Sequence, residues 1–180
     1  PETQIMADIR KYETDIAIIG SGGAGMAAGI ETRDAGGRAI AFEKAEDLGG
    51  AAIISGGGCC IIGSPLQEEM GIEDNPDLAF SDWVNWGGPG TDVVWARYYI
   101  EHTLHDLFHW AEKQGVKWVD MKPQEGNSVM RWTRPERSGL GLMTNLIQSF
   151  RDKGGEIVNN TEITKIKMEG KRAVGFEGVN

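Results

Sequence analysis

The residues of this chain with the clearest chemical use are a run of glycines and one acid. Gly20-Ser21-Gly22-Gly23-Ala24-Gly25 follows an apolar, strand-like stretch, Asp15-Ile16-Ala17-Ile18-Ile19. It opens a helical stretch that reaches about Ala35, and a second strand, Arg38 to Phe42, ends on Glu43, 18 residues past Gly25. Strand, glycine turn, helix, strand, acid is the order of a dinucleotide-binding βαβ unit. Gly20 permits the tight turn out of the strand. Gly22 has no Cβ, so backbone can approach a pyrophosphate, and Gly25 lets the helix lie close against the sheet. Ser21, Gly23 and Ala24 complete the loop. The helix N-terminus offers unpaired N–H groups and a partial positive charge to phosphates. Glu43, with Lys44 beside it, is placed to accept hydrogen bonds from a ribose hydroxyl.

Nicotinamide and flavin dinucleotides share this unit, so the segment after it has to discriminate. The chain continues Leu48-Gly49-Gly50-Ala51-Ala52-Ile53-Ile54-Ser55-Gly56-Gly57-Gly58. A nicotinamide domain proceeds to another crossover helix and a third parallel strand. Here that space is taken by a long glycine-rich track with no helical period. Backbone free of side chains suits close contact along an extended cofactor and a flat ring; the plainer alternative is a surface loop.

These motifs carry a resemblance. Gly20-x-Gly22-x-x-Gly25, Glu43-Lys44, Gly49-Gly50 and Ser55-Gly56-Gly57-Gly58 resemble the N-terminal flavin-binding region of one flavoprotein family. It includes soluble fumarate reductases, succinate dehydrogenase flavoprotein subunits, urocanate reductases and 3-ketosteroid dehydrogenases. The helix from Thr91 to Gln114 with Gly115-Val116, the Arg134-Pro135 pair, the Ser138-Gly139-Leu140-Gly141 turn and the strand near Ile163 are also similar to that family. The resemblance implies an α/β, Rossmann-like doubly wound FAD-binding domain of the three-layer, glutathione-reductase-like kind. It implies that FAD contacts come from Gly20 to Gly25, Glu43, Lys44, Gly49 to Ala52, Ser55 to Gly58 and Ile163. In such enzymes hydride moves between flavin N5 and a carbon next to a carbonyl or carboxylate. Membrane-bound members carry the flavin covalently on a histidine of the track. Ala51 stands at that position here, so noncovalent FAD is expected. Relatives of this kind are well over twice as long, and their capping domain, proton donor and last flavin-binding segment fall beyond Asn180. No catalytic residue is therefore assigned. The alternatives are a nicotinamide-dependent dehydrogenase domain and a noncatalytic nucleotide-binding module, with a partner chain or homo-oligomer supplying what a short chain lacks. Replacing Glu43 by Ala is expected to weaken FAD binding and leave the apo fold intact.

Composition agrees. A chain of 180 residues can bury a sizeable core. Its net charge of −9 argues against nucleic acid and anionic membrane surfaces as partners. No apolar run approaches the length of a membrane span, and no leader is visible. The only cysteines, Cys59 and Cys60, are adjacent. Their Cα atoms should lie about 3.8 Å apart, too close for ordinary disulfide geometry. They are expected to stay thiols, as in a reducing, cytoplasmic compartment.

Elsewhere Asn75-Pro76 starts a helix to about Asn85, and Thr91 or Asp92 caps a long helix ended by Gly115. Val116 to Val119 reads as a strand, Met121 to Leu140 as irregular, and Leu142 to Lys153 as a helix. A short parallel strand, Glu156 to Val158, precedes a hairpin around Glu169-Gly170. His102, His105 and His109 share a helix face at metal-compatible spacing, opposite Ile100, Leu104, Leu107, Phe108 and Ala111, and read better as a solvated face than as a metal site. Arg131, Arg134 and Arg137 could attract a carboxylate substrate, but pairing with nearby acids is the favoured reading. The six tryptophans are attributed mostly to packing. Neither Tyr98 nor Tyr99 matches a family position.

Overall fold

The computed structural model describes residues 9–180. Apolar β-branched residues alternate at the start of the chain, and they form the expected parallel sheet. Strands β1 (Ile16–Ile19), β2 (Ala39–Phe42) and β6 (Glu156–Val158) pair in the order β1-β2-β6. Ile16 stands opposite Ala39, and Ile40 opposite Glu156. Helix α1 (Gly23–Asp34) makes the crossover between β1 and β2.

Alternation along the strands builds three layers. Ile18, Ala39 and Ala41 point into a core shared with Met26 and Ile30 of α1 and with Met143, Leu146, Ile147 and Phe150 of α7 (Ser138–Asp152). Gly29 makes this packing possible: a Cβ there would sit 2.7 Å from Phe150 Cε2. On the opposite face Phe42 meets Phe176 at 4.6 Å between ring centroids. Phe176 belongs to the hairpin of β7 (Glu162–Glu169) and β8 (Arg172–Val179). Helices, parallel sheet and hairpin are the three layers of the Rossmann-like arrangement.

Between β2 and α7 the chain builds a second unit. It contains α2 (Gly50–Ile54), β3 (Cys59–Cys60), α3 (Pro65–Glu69), α4 (Pro76–Gly87), α5 (Val93–His102), α6 (Trp110–Lys113), β4 (Trp118–Lys122) and β5 (Trp132–Pro135). The capping signals act as read: Asn75 Oδ1 accepts from the Asp77 and Leu78 amides, and Asp92 Oδ1 from those of Val94 and Trp95. Ser64 and Gln67 form a reciprocal capping box on α3.

Four local expectations are corrected. The glycine track is not free of helix, because Gly49 at φ 98° starts the short α2. The long helix is not α-helical throughout: residues Thr103–His109 between α5 and α6 are π-helical. At that register change Thr103 Oγ1 accepts the Ile62 amide at 3.2 Å and lies 3.5 Å from the Ile100 carbonyl it faces, a back-bonding position that bends helices. The stretch from Met121 to Leu140 is not irregular throughout, for β5 lies inside it and pairs antiparallel with both β3 and β4. Helix α7 begins at Ser138, before Leu142, and its cap Arg137 and first residue Ser138 both lie at positive φ.

Candidate functional site

The C-terminal ends of β1 and β2 bring the glycine loop and Glu43 together. The Gly20 amide donates to the Phe42 carbonyl at 2.8 Å, so the turn leaves β1 level with the end of β2. Gly20 has φ 97°, which favours glycine. A Cβ on Gly25 would overlap the Gly20 carbonyl oxygen and touch Ile18 Cγ2, so only glycine lets α1 start this close to β1. By contrast, a Cβ on Gly22 or Gly23 would meet nothing within 4 Å. The backbone there faces open space.

Among the described residues, the N-terminus of α1 has no side-chain acceptor. Gly22 gives no side-chain cap, and the first turn holds no acid. Among the described residues, the first amide in this helix to find a carbonyl is that of Met26, bonded to Gly22 at 3.0 Å. The amides of Gly22 to Gly25 therefore stand ready for an anionic ligand. Ala24 is exposed.

Glu43 is 8% exposed, and its carboxylate is already in use. Oε2 accepts from the Ser21 amide at 2.9 Å and the Ser21 hydroxyl at 2.7 Å, and Oε1 accepts from the Ala45 amide at 3.0 Å. Burial pushes the Glu43 carboxyl up. The amides of Ala45 and Ser21 and the Ser21 hydroxyl outweigh that and hold it below the ordinary carboxylate range. A carboxylate has about four lone-pair sites, which leaves room for one further donor. This revises the expectation for Glu43→Ala. The variant should weaken FAD binding by about tenfold or more, and should also lose about 1–3 kcal/mol of stability because buried donors around Ser21 are orphaned. Titration with FAD and thermal unfolding of the apo protein check both. Because the folded pKa lies below the unfolded one, this contribution is full above the unfolded value of about 4.3 and fades as pH falls through the folded value. Acid unfolding of the Glu43→Gln variant should lack that component.

The glycine track runs on from this cluster. The Gly49 amide donates to Ser21 Oγ at 3.0 Å, and a Cβ on Gly50 would lie 3.8 Å from Gly22 Cα. Ala51 is exposed on α2, whereas Ala52 packs against the main core. Ser55 Oγ donates to the Ala52 carbonyl and accepts from the Gly57 amide at 3.0 Å, closing the turn after α2. Gly56 is exposed. Gly57 abuts the Ser138-Gly139 backbone, and a Cβ on Gly58 would overlap the Trp132 indole. The Gly139 amide also donates to the Ser55 carbonyl at 3.0 Å. Residues 20–25, 43 and 49–58 are thus tied together by hydrogen bonds through Ser21 and Ser55, with Ser21, Glu43, Gly49 and Gly57 buried and Ala24, Gly50, Ala51 and Gly56 exposed.

Two expected site residues stand apart. Lys44 is exposed and next to the cluster. Ile163 pairs with Gly178 across the hairpin, two residues beyond Thr161, whose amide donates to the Glu43 carbonyl at 2.9 Å. Sequence reading named the Ser138-Gly139 turn as a family feature without connecting it to the track, and it missed Trp132 as part of the frame. The only local signal was the glycine pattern, since Gly58 and Gly139 are glycines because of neighbours far along the chain.

The arginine cluster resolves into ion pairs. Arg131 is 1% exposed and binds Asp74 with two nitrogens, Nε at 2.7 Å and Nη2 at 2.8 Å, and Asp82 through Nη1 at 2.6 Å. Arg134 pairs with Asp120 across β5 and β4. Arg137 is exposed. On the long helix His102 Nδ1 lies 2.7 Å from the Tyr98 carbonyl, and His109 Nδ1 lies 2.9 Å from Glu112. Among the described residues no group of three or more His, Cys, Asp or Glu has metal-holding geometry. Cys59 and Cys60 are free thiols, and burial pushes Cys59 up to about 11. Packing does not account for all the tryptophans: Trp86 and Trp95 are 66% and 68% exposed.

Residues 15–180 match the model of a family described as FAD binding domain. The chain belongs to that family. This FAD-binding domain is 31% identical over 138 residues to a fumarate reductase (cytochrome) of Shewanella frigidimarina, covering 77% of this chain and 24% of that protein. It is 27% identical over 192 residues to a KsdD-like steroid dehydrogenase of Mycobacterium tuberculosis, covering 96% and 34%. Among solved structures it superimposes on the open conformation of a flavocytochrome c3 fumarate reductase with TM-score 0.86 at 27% identity, covering 92% of this chain and 30% of that one. A 3-ketosteroid-Δ4-(5α)-dehydrogenase of Rhodococcus jostii shares the fold, with TM-score 0.85 at 22% identity, covering 99% and 44%. The chain spans 18–34% of the length of these and similar curated relatives. FAD is the cofactor of the domain, and the site suits it: an uncapped helix N-terminus faces open space at Gly22 and Gly23, beside a buried acid with spare accepting capacity. The nicotinamide reading is set aside by the family match. Among the described residues no helix is long and apolar enough to cross a membrane.

Proposed function

We propose that this domain is the FAD-holding part of an oxidoreductase acting on a carbon–carbon bond next to a carboxylate or carbonyl. The observation that carries the proposal is the tie at Ser21 between the uncapped N-terminus of α1, Glu43 and the start of the glycine track at Gly49. The names of the relatives support the reaction class. Fumarate reductases, steroid dehydrogenases and the acrylate reductase flavoprotein subunit of Shewanella woodyi share a substrate carbon–carbon bond conjugated to an oxygen function.

In this reading the amides of Gly22 to Gly25 hold the pyrophosphate, with Ser21 and Ala24 shaping the loop. Glu43 accepts a ribose hydroxyl next to Lys44, and the strand at Ile163 flanks the adenosine. Gly49, Gly50, Ala51, Ala52 and Ser55 to Gly58 present backbone to the flavin half. FAD, when bound, supplies the hydride chemistry. The residues of the chain position it and exclude water, and proton transfer is assigned to none of them.

Ala51 carries no nucleophile, so the flavin should be noncovalent. Acid precipitation of the full-length protein should leave all the flavin in the supernatant, and flavin retained in the pellet would contradict this. The reaction class is tested with the reduced, FAD-loaded full-length protein offered fumarate, urocanate and a ketosteroid. Reoxidation by one of them is expected. No reoxidation by any of the three would count against the class.

A further inference from the structure

Ser21 is the one side chain in the glycine loop that is both fully buried and hydrogen-bonded on two sides. Its hydroxyl donates to Glu43 Oε2 at 2.7 Å and accepts the Gly49 amide at 3.0 Å. The direction is fixed by chemistry. A hydroxyl has one proton, an ionised carboxylate can only accept, and an amide can only donate. One oxygen therefore ties together three stretches that are far apart in sequence: the loop at α1, the acid at the end of β2, and the first residue of the glycine track.

The connection at Gly49 is placed where it can steer the track. Gly49 sits at φ 98° and is the residue before α2, and Ile53 fills the space its Cβ would take, with Ile53 Cβ 2.7 Å from that position. The backbone at Gly49 cannot shift on its own without disturbing Ile53 and the start of α2. Glu43, by contrast, does not depend on the Ser21 hydroxyl alone, because the Ser21 and Ala45 amides also hold it. The two sides of the hydroxyl are thus unequal. Losing it leaves the acid anchored and releases the track.

We infer that Ser21 is a positioning residue that fixes the flavin-facing track relative to the adenosine-facing loop, so that the two halves of FAD are gripped as one span. The inference rests on the assignment of residues 20–25 and Glu43 to the adenosine and pyrophosphate half and of residues 49–58 to the flavin half. It separates two quantities that a general loosening of the fold would move together. Affinity for ADP, which probes only the loop and the acid, should fall less on loss of the hydroxyl, because the Ser21 and Ala45 amides still hold Glu43. Affinity for FAD, which needs the loop and the track in register, should depend on it.

The test uses the full-length protein in its apo form, with Ser21→Ala and Ser21→Cys. The second variant keeps a side chain of the same connectivity, with a larger sulfur that hydrogen-bonds weakly, and it serves if the alanine variant does not fold. ADP and FAD dissociation constants are measured by calorimetry, and visible circular dichroism reads the environment of the bound flavin. Expected are an FAD affinity lowered by about tenfold more than the ADP affinity, and an altered flavin dichroism in the variants. Equal losses for ADP and FAD would overturn the positioning role, because the hydroxyl would then serve the loop alone. Unchanged FAD affinity and dichroism would overturn it as well. Wild-type protein that binds FAD but not ADP would instead overturn the assignment of the adenosine half on which the inference rests.

Discussion

In the Asp74→Ala variant the unfolding midpoint of the domain should fall by on the order of 10 °C. Asp74 is the bidentate partner of Arg131, and both side chains are at most 1% exposed. Gln67 Nε2 also donates to Asp74 at 2.9 Å and to the Met130 carbonyl at 2.8 Å, and Asp82 accepts from the Ser128 amide and hydroxyl. The network clamps the segment before α4, α4 itself and the loop before β5. Removing Asp74 strips the guanidinium of two hydrogen bonds inside the protein, where water cannot replace them. Breaking a buried pair from one side costs about 3–5 kcal/mol, against a total stability of about 5–15 kcal/mol. The loss comes from two buried guanidinium donors left without acceptors, since Asp82 still pairs with Arg131. The double variant Asp74→Leu/Arg131→Met removes those donors and leaves Asp82, whose side chain is 15% exposed, to Ser128 and water, so it should recover much of the loss. Calorimetric scans of the two variants check this. A double variant no better than Asp74→Ala would mean that the network holds the fold through its geometry, not through satisfied donors.

The second large effect separates two glycines of one motif. Gly25→Ala should lower both apo stability and FAD affinity, because the new methyl overlaps the Gly20 carbonyl and must push α1 away from β1. Overpacking of this kind costs about 1–3 kcal/mol, which corresponds to roughly 5- to 150-fold in affinity if all of it falls on the bound geometry. Gly22→Ala should leave apo stability unchanged within about 0.5 kcal/mol, since its methyl enters open space. It should still weaken FAD, because that space is assigned to the pyrophosphate. Unfolding curves and FAD titrations of the two variants form the check. Equal apo stability for both would contradict the close helix–strand contact. Undiminished FAD affinity in Gly22→Ala would remove the phosphate assignment.

The sequence by itself determined the βαβ unit. Its signals are local: an apolar run sets β1, positive-φ glycine turns the chain at Gly20, and helix periodicity with Gly36 at φ 82° ends α1. The caps at Asn75 and Asp92 and the turn at Gly170 were legible for the same reason, since each is decided within a few residues. The glycine spacing pointed to a dinucleotide, and the resemblance carried by the later motifs narrowed it to FAD.

Tertiary structure decided the rest. Strand β5 has a divided propensity signal, with Trp132 and Thr133 favouring a strand and Pro135 opposing one. It exists because Cys59-Cys60 on one side and Trp118 to Lys122 on the other offer it paired edges. The arginine cluster could have faced a ligand or acids. Arg131 took Asp74 and Asp82 because burial to 1% exposure forbids an unpaired charge. Glu43 was legible as an acid in the right place. That its carboxylate also holds the loop through Ser21 depends on a strand pairing and a turn 22 residues away. No window of sequence contains that distance. Local rules chose the turns and helices, while the sharing of buried donors and acceptors between distant segments was settled only when those segments met.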